Sequence, residues 1–172
     1  AKMISHLAET LVEKYAKEAD HLLDPFCGSG AVLRAGSTRG IRVTGIDVNP
    51  FGVLLSRVKF EGFDVERANS LYTKLIDVAN DCDHLDIEWD KKDYWFTPAT
   101  LSRFERLRFA ASELNLHRSK AGRAILLAFG LAVRPCSRAD QRSPKPFISK
   151  YARDKRSGKH FNPAKTTEAL LK

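Results

Sequence analysis

The first sixty residues contain two short apolar runs that alternate with three stretches of helical periodicity. Apolar side chains recur three and four positions apart over residues 4–19, which predicts an amphipathic helix. Two short runs, 22–23 and 41–46, are apolar or β-branched and predict strands. Helical composition follows each run, over 31–37 and again over 50–60. The predicted order is therefore helix, strand, helix, strand, helix, which indicates an α/β arrangement.

The remainder of the chain is predicted to be mainly helical. A third strand is expected at 63–65, followed by a helix over 71–78. Thr97-Pro98 forms a helix start, because threonine caps a helix well and proline suits its first position. A further helix at 121–133 is apolar on nearly every side and is expected to be buried. Prolines, serines and glycines interrupt the chain from residue 134 onward and predict loops.

The length of 172 residues suits one domain of ordinary size. Within it we expect three segments: a cofactor-binding βαβ core (1–70), a helical insertion (71–133) and a basic, loop-rich segment (134–172).

The net charge of +8 is concentrated in the last of these segments. Residues 134–172 contain eleven lysines and arginines and three acids, and the rest of the chain is neutral. Such a positive segment is typical of a nucleic-acid contact, and a solvated basic tail is the alternative. The candidate contacts are Arg142, Lys145, Arg153, Lys155 and Arg156.

Several classes of protein are disfavoured by composition. The three cysteines form no C-x-x-C pair, so neither a disulfide framework nor a zinc site is expected. The acidic residues between 77 and 93 match no calcium-loop pattern, and no metal is predicted. No apolar run is long enough to cross a membrane, and no signal pattern is present at the N-terminus. A reducing cytoplasm is the expected location.

The two predicted strands each end in an acid. Asp24 is followed by a turn containing Gly28 and Gly30, and Asp47 ends the second strand. This order is typical of a nucleoside-binding βαβ unit, in which the second acid accepts hydrogen bonds from ribose hydroxyls. The third glycine of a dinucleotide fingerprint is replaced by Leu33. A carboxylate at Asp24 would repel pyrophosphate but suits an ammonium group, which favours S-adenosylmethionine. The alternative is a βαβ unit whose glycines only form a tight turn.

The segment Asp24-Pro25-Phe26-Cys27-Gly28-Ser29-Gly30 resembles the first motif of class I methyltransferases that modify exocyclic amino groups of DNA bases. Gly45-Ile46-Asp47-Val48-Asn49-Pro50 is similar to their second motif. The resemblance implies a Rossmann-like class I methyltransferase fold, incomplete in this chain and carrying a helical insertion. It also implies S-adenosylmethionine as cofactor and DNA as partner, with RNA as the alternative. The implied cofactor-binding residues are Asp24, Pro25, Phe26, Cys27, Gly28, Ser29, Gly30, Asp47, Val48 and Asn49.

The catalytic motif of that family, [DNS]-P-P-[YFW], does not occur in the sequence. Ser143-Pro144-Lys145-Pro146-Phe147 looks similar, but a lysine separates its prolines and no apolar strand precedes it. No catalytic residue is therefore assigned. We expect the catalytic half to follow residue 172 or to lie on another chain. The expected function is the cofactor-binding part of an adenine-N6 or cytosine-N4 DNA methyltransferase. An RNA amine methyltransferase and a non-catalytic nucleic-acid-binding protein are the alternatives.

Overall fold

The computed structural model describes residues 3–83, 88–150, 152–153 and 161–171. The chain forms two compact units, Ala1–Gly62 and Phe63–Lys172. In the described residues it is mostly helical, with a small two-stranded parallel sheet. The division into segments 1–70, 71–133 and 134–172 stays a prediction. None of the helices that the structure describes has both the length and the apolar character needed to span a membrane.

The N-terminal unit has the predicted order of elements. It comprises α1 (Ser5–Tyr15), β1 (His21–Asp24), α2 (Ala31–Ser37), β2 (Arg42–Gly45) and α3 (Pro50–Glu61). The expected start of α3 is confirmed, since Asn49 Oδ1 accepts a hydrogen bond from the Phe51 amide at 3.0 Å.

The two strands pair in parallel, with Leu22 opposite Val43. One face of the sheet packs on α1 and α2, where Leu22 contacts a core that includes Val12 and Ile41. On the other face Leu23 is 57% and Ile46 55% exposed. A complete Rossmann-like sheet is not present in the described residues, and it remains a proposal.

The predicted third strand at 63–65 is wrong, because a helix starts there. Gly62 adopts φ 58° and ends α3. Asp64 then caps α4 (Val65–Asn80), and its carboxylate accepts a hydrogen bond from the Arg67 amide at 2.8 Å. A run of three residues carries too little periodicity to distinguish a strand from a capped helix start.

The C-terminal unit is helical throughout its described elements. In chain order these are α4 (Val65–Asn80), α5 (Lys92–Trp95), α6 (Pro98–Glu113), a 3₁₀ turn (Leu116–Arg118), α7 (Lys120–Cys136) and α8 (Pro163–Leu171). The predicted start of α6 is confirmed, because the Thr97 hydroxyl accepts a hydrogen bond from the Thr100 amide. Helix thus occupies parts of the segment that was expected to be loop-rich.

Aromatic packing forms the core of this unit. The rings of Phe96 and Phe104 meet edge to face with centroids 5.4 Å apart, and Phe129 packs on Phe104 at 5.5 Å. The prediction that α7 is buried holds for residues 121–125, whereas Leu131 and Val133 near the other end of the helix are 43% and 40% exposed. Toward its C-terminal end the buried residues Ala128, Ala132 and Cys136 lie on one face of the helix.

Candidate functional site

The glycine turn after β1 is fixed to the end of β2 by backbone hydrogen bonds. The Ile46 amide donates to the Asp24 carbonyl at 2.9 Å, and the Cys27 amide donates to the Ile46 carbonyl at 2.9 Å. The parallel pairing therefore continues past both strands. Asp24 and Asp47, which the sequence places 23 positions apart, are brought to the same end of the sheet.

Asp47 holds the glycine turn and the start of α3 together. One carboxylate oxygen accepts a hydrogen bond from the Gly28 amide at 2.6 Å, and the other accepts from the Asn49 amide at 2.8 Å. A carboxylate offers about four acceptor positions. Two of them are used by the backbone, and the rest are available to hydroxyl donors of a ligand.

Asp24 stabilises the turn locally. Its carboxylate accepts a hydrogen bond from the Phe26 amide at 3.1 Å, which is a typical turn contact for aspartate. Pro25 follows directly and ends the ladder. Phe26, two residues after Asp24, is 84% exposed, and Val48, directly after Asp47, is 96% exposed. Exposed apolar groups of this size at a polar turn suit a ligand with a flat, weakly polar part.

The two glycines of the turn differ in what surrounds them. Both have positive φ, 47° at Gly28 and 77° at Gly30. A Cβ added at Gly28 would find its nearest neighbour, Asp47 Oδ2, at 3.9 Å. A Cβ at Gly30 would lie 2.4 Å from Ser56 Oγ. Gly30 is thus required by packing against α3, whereas the space at Gly28 is open to a ligand.

Three residues of α3 support the turn and were not identified from the sequence. A Cβ at Gly52 would lie 3.3 Å from the Gly28 carbonyl, and Ser56 packs on Gly30 one turn later. Lys59 Nζ donates to the Ser29 carbonyl at 3.2 Å. The available signal was the pair of small residues four positions apart, which places a close-approach surface on one helix face.

Cys27 is a packing residue of the turn. It is 7% exposed. Burial raises the pKa of its thiol, and the nearby charges of Asp24 and Asp47 raise it further. The thiol is therefore protonated at neutral pH, which disfavours nucleophilic chemistry.

The basic candidates of the C-terminal unit have different environments. Arg142 forms an ion pair with Asp140, with Nη2 and Oδ2 2.7 Å apart, so its charge is largely compensated. Hydrogen bonds from Arg142 and then Ser149 hold the pKa of Asp140 well below its usual range. Lys145 and Arg153 are exposed. The predicted contacts Lys155 and Arg156 lie outside the described residues.

The segment that looks similar to a catalytic motif is held by backbone contacts. The carbonyl of Ser143 accepts a hydrogen bond from Arg134, and the Phe147 carbonyl accepts one from the Asp140 amide at 2.9 Å. Over the residues described, no group of three or more histidine, cysteine or acidic side chains is placed to hold a metal ion.

Two curated proteins are similar to part of this chain. The Type II methyltransferase M.MjaII of Methanocaldococcus jannaschii is 33% identical over 79 residues, which is 46% of this chain and 14% of that protein. The Type II methyltransferase M.MvaI of Kocuria varians is 39% identical over 62 residues, covering 34% of this chain and 14% of that protein. The aligned part of the chain is thus far shorter than these relatives. No family model and no solved structure matches the chain. The partial similarity indicates a relation to methyltransferases.

Proposed function

We propose that the chain is the S-adenosylmethionine-binding part of a DNA methyltransferase that modifies an exocyclic amino group of adenine or cytosine. The observation that carries the proposal is the double role of Asp47. Its carboxylate accepts hydrogen bonds from the amides of both Gly28 and Asn49, so that the glycine turn is held to the acid after β2. Partial similarity to two type II methyltransferases supports the same conclusion.

The side chains at this end of the sheet fit the cofactor. Ribose hydroxyls are hydrogen-bond donors, and the remaining acceptor positions of Asp47 suit them. Asp24 uses one carboxylate oxygen for the turn and has acceptor capacity for an ammonium group. The exposed Phe26 and Val48 offer apolar surface to an adenine ring. When bound, S-adenosylmethionine supplies an electrophilic methyl group on a sulfonium.

The residues of this chain would bind and orient the cofactor. Asp47 accepts from the ribose, Asp24 compensates the ammonium charge, and Gly28 allows close approach to its backbone. Pro25, Cys27, Ser29, Gly30 and Asn49 maintain the shape of the turn. No residue of this chain is assigned to hold the target amine.

DNA is the proposed partner, and the basic C-terminal residues are proposed to contact its phosphates. Among the described candidates Lys145 and Arg153 are exposed, whereas Arg142 is paired with Asp140. Replacing Lys145 and Arg153 by alanine is expected to flatten the salt dependence of DNA binding more than replacing Arg142 alone.

Calorimetric titration with S-adenosylmethionine tests the proposal. Asp47→Ala is expected to lose about 1–3 kcal/mol of binding free energy, because the ribose loses its acceptor. Glu18→Ala, an exposed acid of the same unit, serves as the matched control and should bind like the wild type. Asp47→Asn retains one acceptor oxygen and covers the case in which the alanine variant fails to fold. Equal affinity of the wild type and both Asp47 variants would reject the cofactor site.

Two alternative functions give different results in binding assays. An RNA amine methyltransferase would prefer RNA over DNA of the same sequence in a competition assay. A non-catalytic nucleic-acid-binding protein would bind nucleic acid and show no heat of binding with the cofactor.

A further inference from the structure

A cavity lies within the C-terminal unit, far along the chain from the glycine turn. It has a volume of about 320 Å³ and is lined by side chains of α4, α6 and α8. Its apolar part comes from Ile76, Ala79 and Leu107. The charged residues of its lining are three cations and one acid: Arg103, Arg106, Lys165 and Glu168.

The two arginines are positioned by the protein. They are one turn apart on α6, so they project from the same face. Arg103 Nη1 donates to the Phe161 carbonyl at 3.3 Å, and Arg106 Nη1 donates to the Asn80 carbonyl at 3.4 Å. In the part of the chain that the structure describes, neither is paired with a carboxylate. The other N–H groups of each guanidinium are available, and their planar fork matches a phosphate.

Tyr72 contributes an uncharged phenol to the lining of the cavity. Burial, together with the charge of Glu168, raises the pKa of Tyr72 to about 12. Its phenol therefore stays protonated and donates to the Ala164 carbonyl, which ties α4 to α8. With three cations and one acid around an apolar floor, the cavity favours an anion that also carries an apolar part.

We propose that this cavity binds a sugar–phosphate unit of a DNA strand. Arg103 and Arg106 contact the phosphate, and the apolar floor packs against the deoxyribose. The volume is at the lower end of the range of about 300–1,000 Å³ seen for ligand sites, which suits one such unit. The proposal rests on the proposed function only in taking DNA as the partner, and it does not require cofactor binding.

Fluorescence anisotropy with the whole chain and a short labelled DNA duplex, titrated over a series of salt concentrations, tests this site. Arg106→Gln is expected to weaken binding about tenfold at low salt and to reduce the log–log salt slope by about 0.9. Arg108→Gln removes the same charge from an exposed position of α6 outside the cavity, and it should have little effect.

Equal effects of Arg106→Gln and Arg108→Gln would overturn the proposal, because net charge alone would then explain DNA binding. The same variants are titrated with polyglutamate, which represents an acidic peptide. If Arg106→Gln abolished polyglutamate binding and left DNA binding unchanged, the proposal would also be overturned, because the cavity would then bind an acidic peptide. Arg103→Gln, at an exposed position, replaces Arg106→Gln if the latter does not fold.

Titration of the same variants with S-adenosylmethionine separates the proposed DNA site from the proposed cofactor site. Cavity-dependent DNA binding without cofactor binding would reject the proposed function alone.

Discussion

Individual carboxylates and glycines of the N-terminal unit have separable roles. The Asp24 carboxylate accepts a hydrogen bond from the amide two residues further along the chain. Such a local contact can be predicted from a short sequence pattern. Asp47 reaches back 19 residues to Gly28 and makes the turn part of the sheet. For this reason the same side chain is expected to matter for stability as well as for cofactor binding.

Gly30 and Gly40 provide a matched test of this packing. Both have φ 77°, but a Cβ at Gly40 meets nothing within 4 Å, whereas at Gly30 it meets Ser56. Gly40→Ala should lower the free energy of unfolding by about 1–2 kcal/mol through backbone strain alone. Gly30→Ala should cost about 1–3 kcal/mol more, because it also overpacks the turn. Urea denaturation of both variants measures the difference, and equal losses would contradict the packing of α3 on Gly30.

The sequence predicted only part of the candidate site. The acids, Pro25 and the glycines could be identified because strand ends and turns follow from local composition. Gly52 and Ser56 could not, since the face that α3 presents to the turn depends on tertiary packing. No local pattern indicated that Arg142 would be paired with Asp140 either.

In the C-terminal unit, too, the elements that could be predicted are those that depend on local sequence signals. The cap at Thr97 was predicted because a capping side chain followed by proline is a local signal. The start of α4 was missed because residues 63–65 were predicted to form a strand, whereas Asp64 caps a helix by accepting a hydrogen bond from the Arg67 amide. In the segment after α7, Asp140 accepts hydrogen bonds from Arg142 and Ser149 and orders a turn rich in proline.

This turn should give the unit an acid-dependent stability. Because the folded-state pKa of Asp140 is depressed, its contribution is present above the unfolded pKa of about 3.9 and is lost as pH falls through the folded value. The wild type should therefore be more stable than Asp140→Asn near neutral pH. The gap should narrow in acid, below about pH 4. Urea denaturation over a pH series, with Asp90→Asn as an exposed control, measures this gap. A gap that is independent of pH would contradict the role of Asp140.

At the scale of the whole molecule, the chain has a glycine turn proposed to bind the cofactor and a basic segment proposed to contact DNA, and its sequence lacks the [DNS]-P-P-[YFW] motif. Two strands are described, and one sheet face leaves Leu23 and Ile46 exposed. The aligned regions amount to 14% of each similar methyltransferase. Composition predicted the basic character of the C-terminal segment. The two described strands were predicted and the third was wrong, and nothing in the residues of β1 and β2 indicates whether further strands pair with them.

We predict that the 172-residue chain does not transfer a methyl group by itself. Orienting two reactants accounts for about 7–11 kcal/mol of a barrier, and the sequence lacks the motif that would hold the target amine. Incubation with radiolabelled S-adenosylmethionine and mixed-sequence DNA measures turnover. Robust methylation that is lost in both Ser143→Ala and Phe147→Ala would refute the prediction and identify that segment as catalytic.

The most direct measurement of the central claim is an NMR titration of the ¹⁵N-labelled chain with S-adenosylmethionine. The account predicts chemical-shift changes concentrated at residues 24–30 and 47–49, with the described helices of the C-terminal unit largely unaffected. The Glu18→Ala variant should show the same chemical-shift changes as the wild type. The Asp47→Ala variant should require a higher cofactor concentration to produce these changes. The absence of shifts in the glycine turn, or shifts confined to residues after Gly62, would contradict the claim that this turn and Asp47 bind the cofactor.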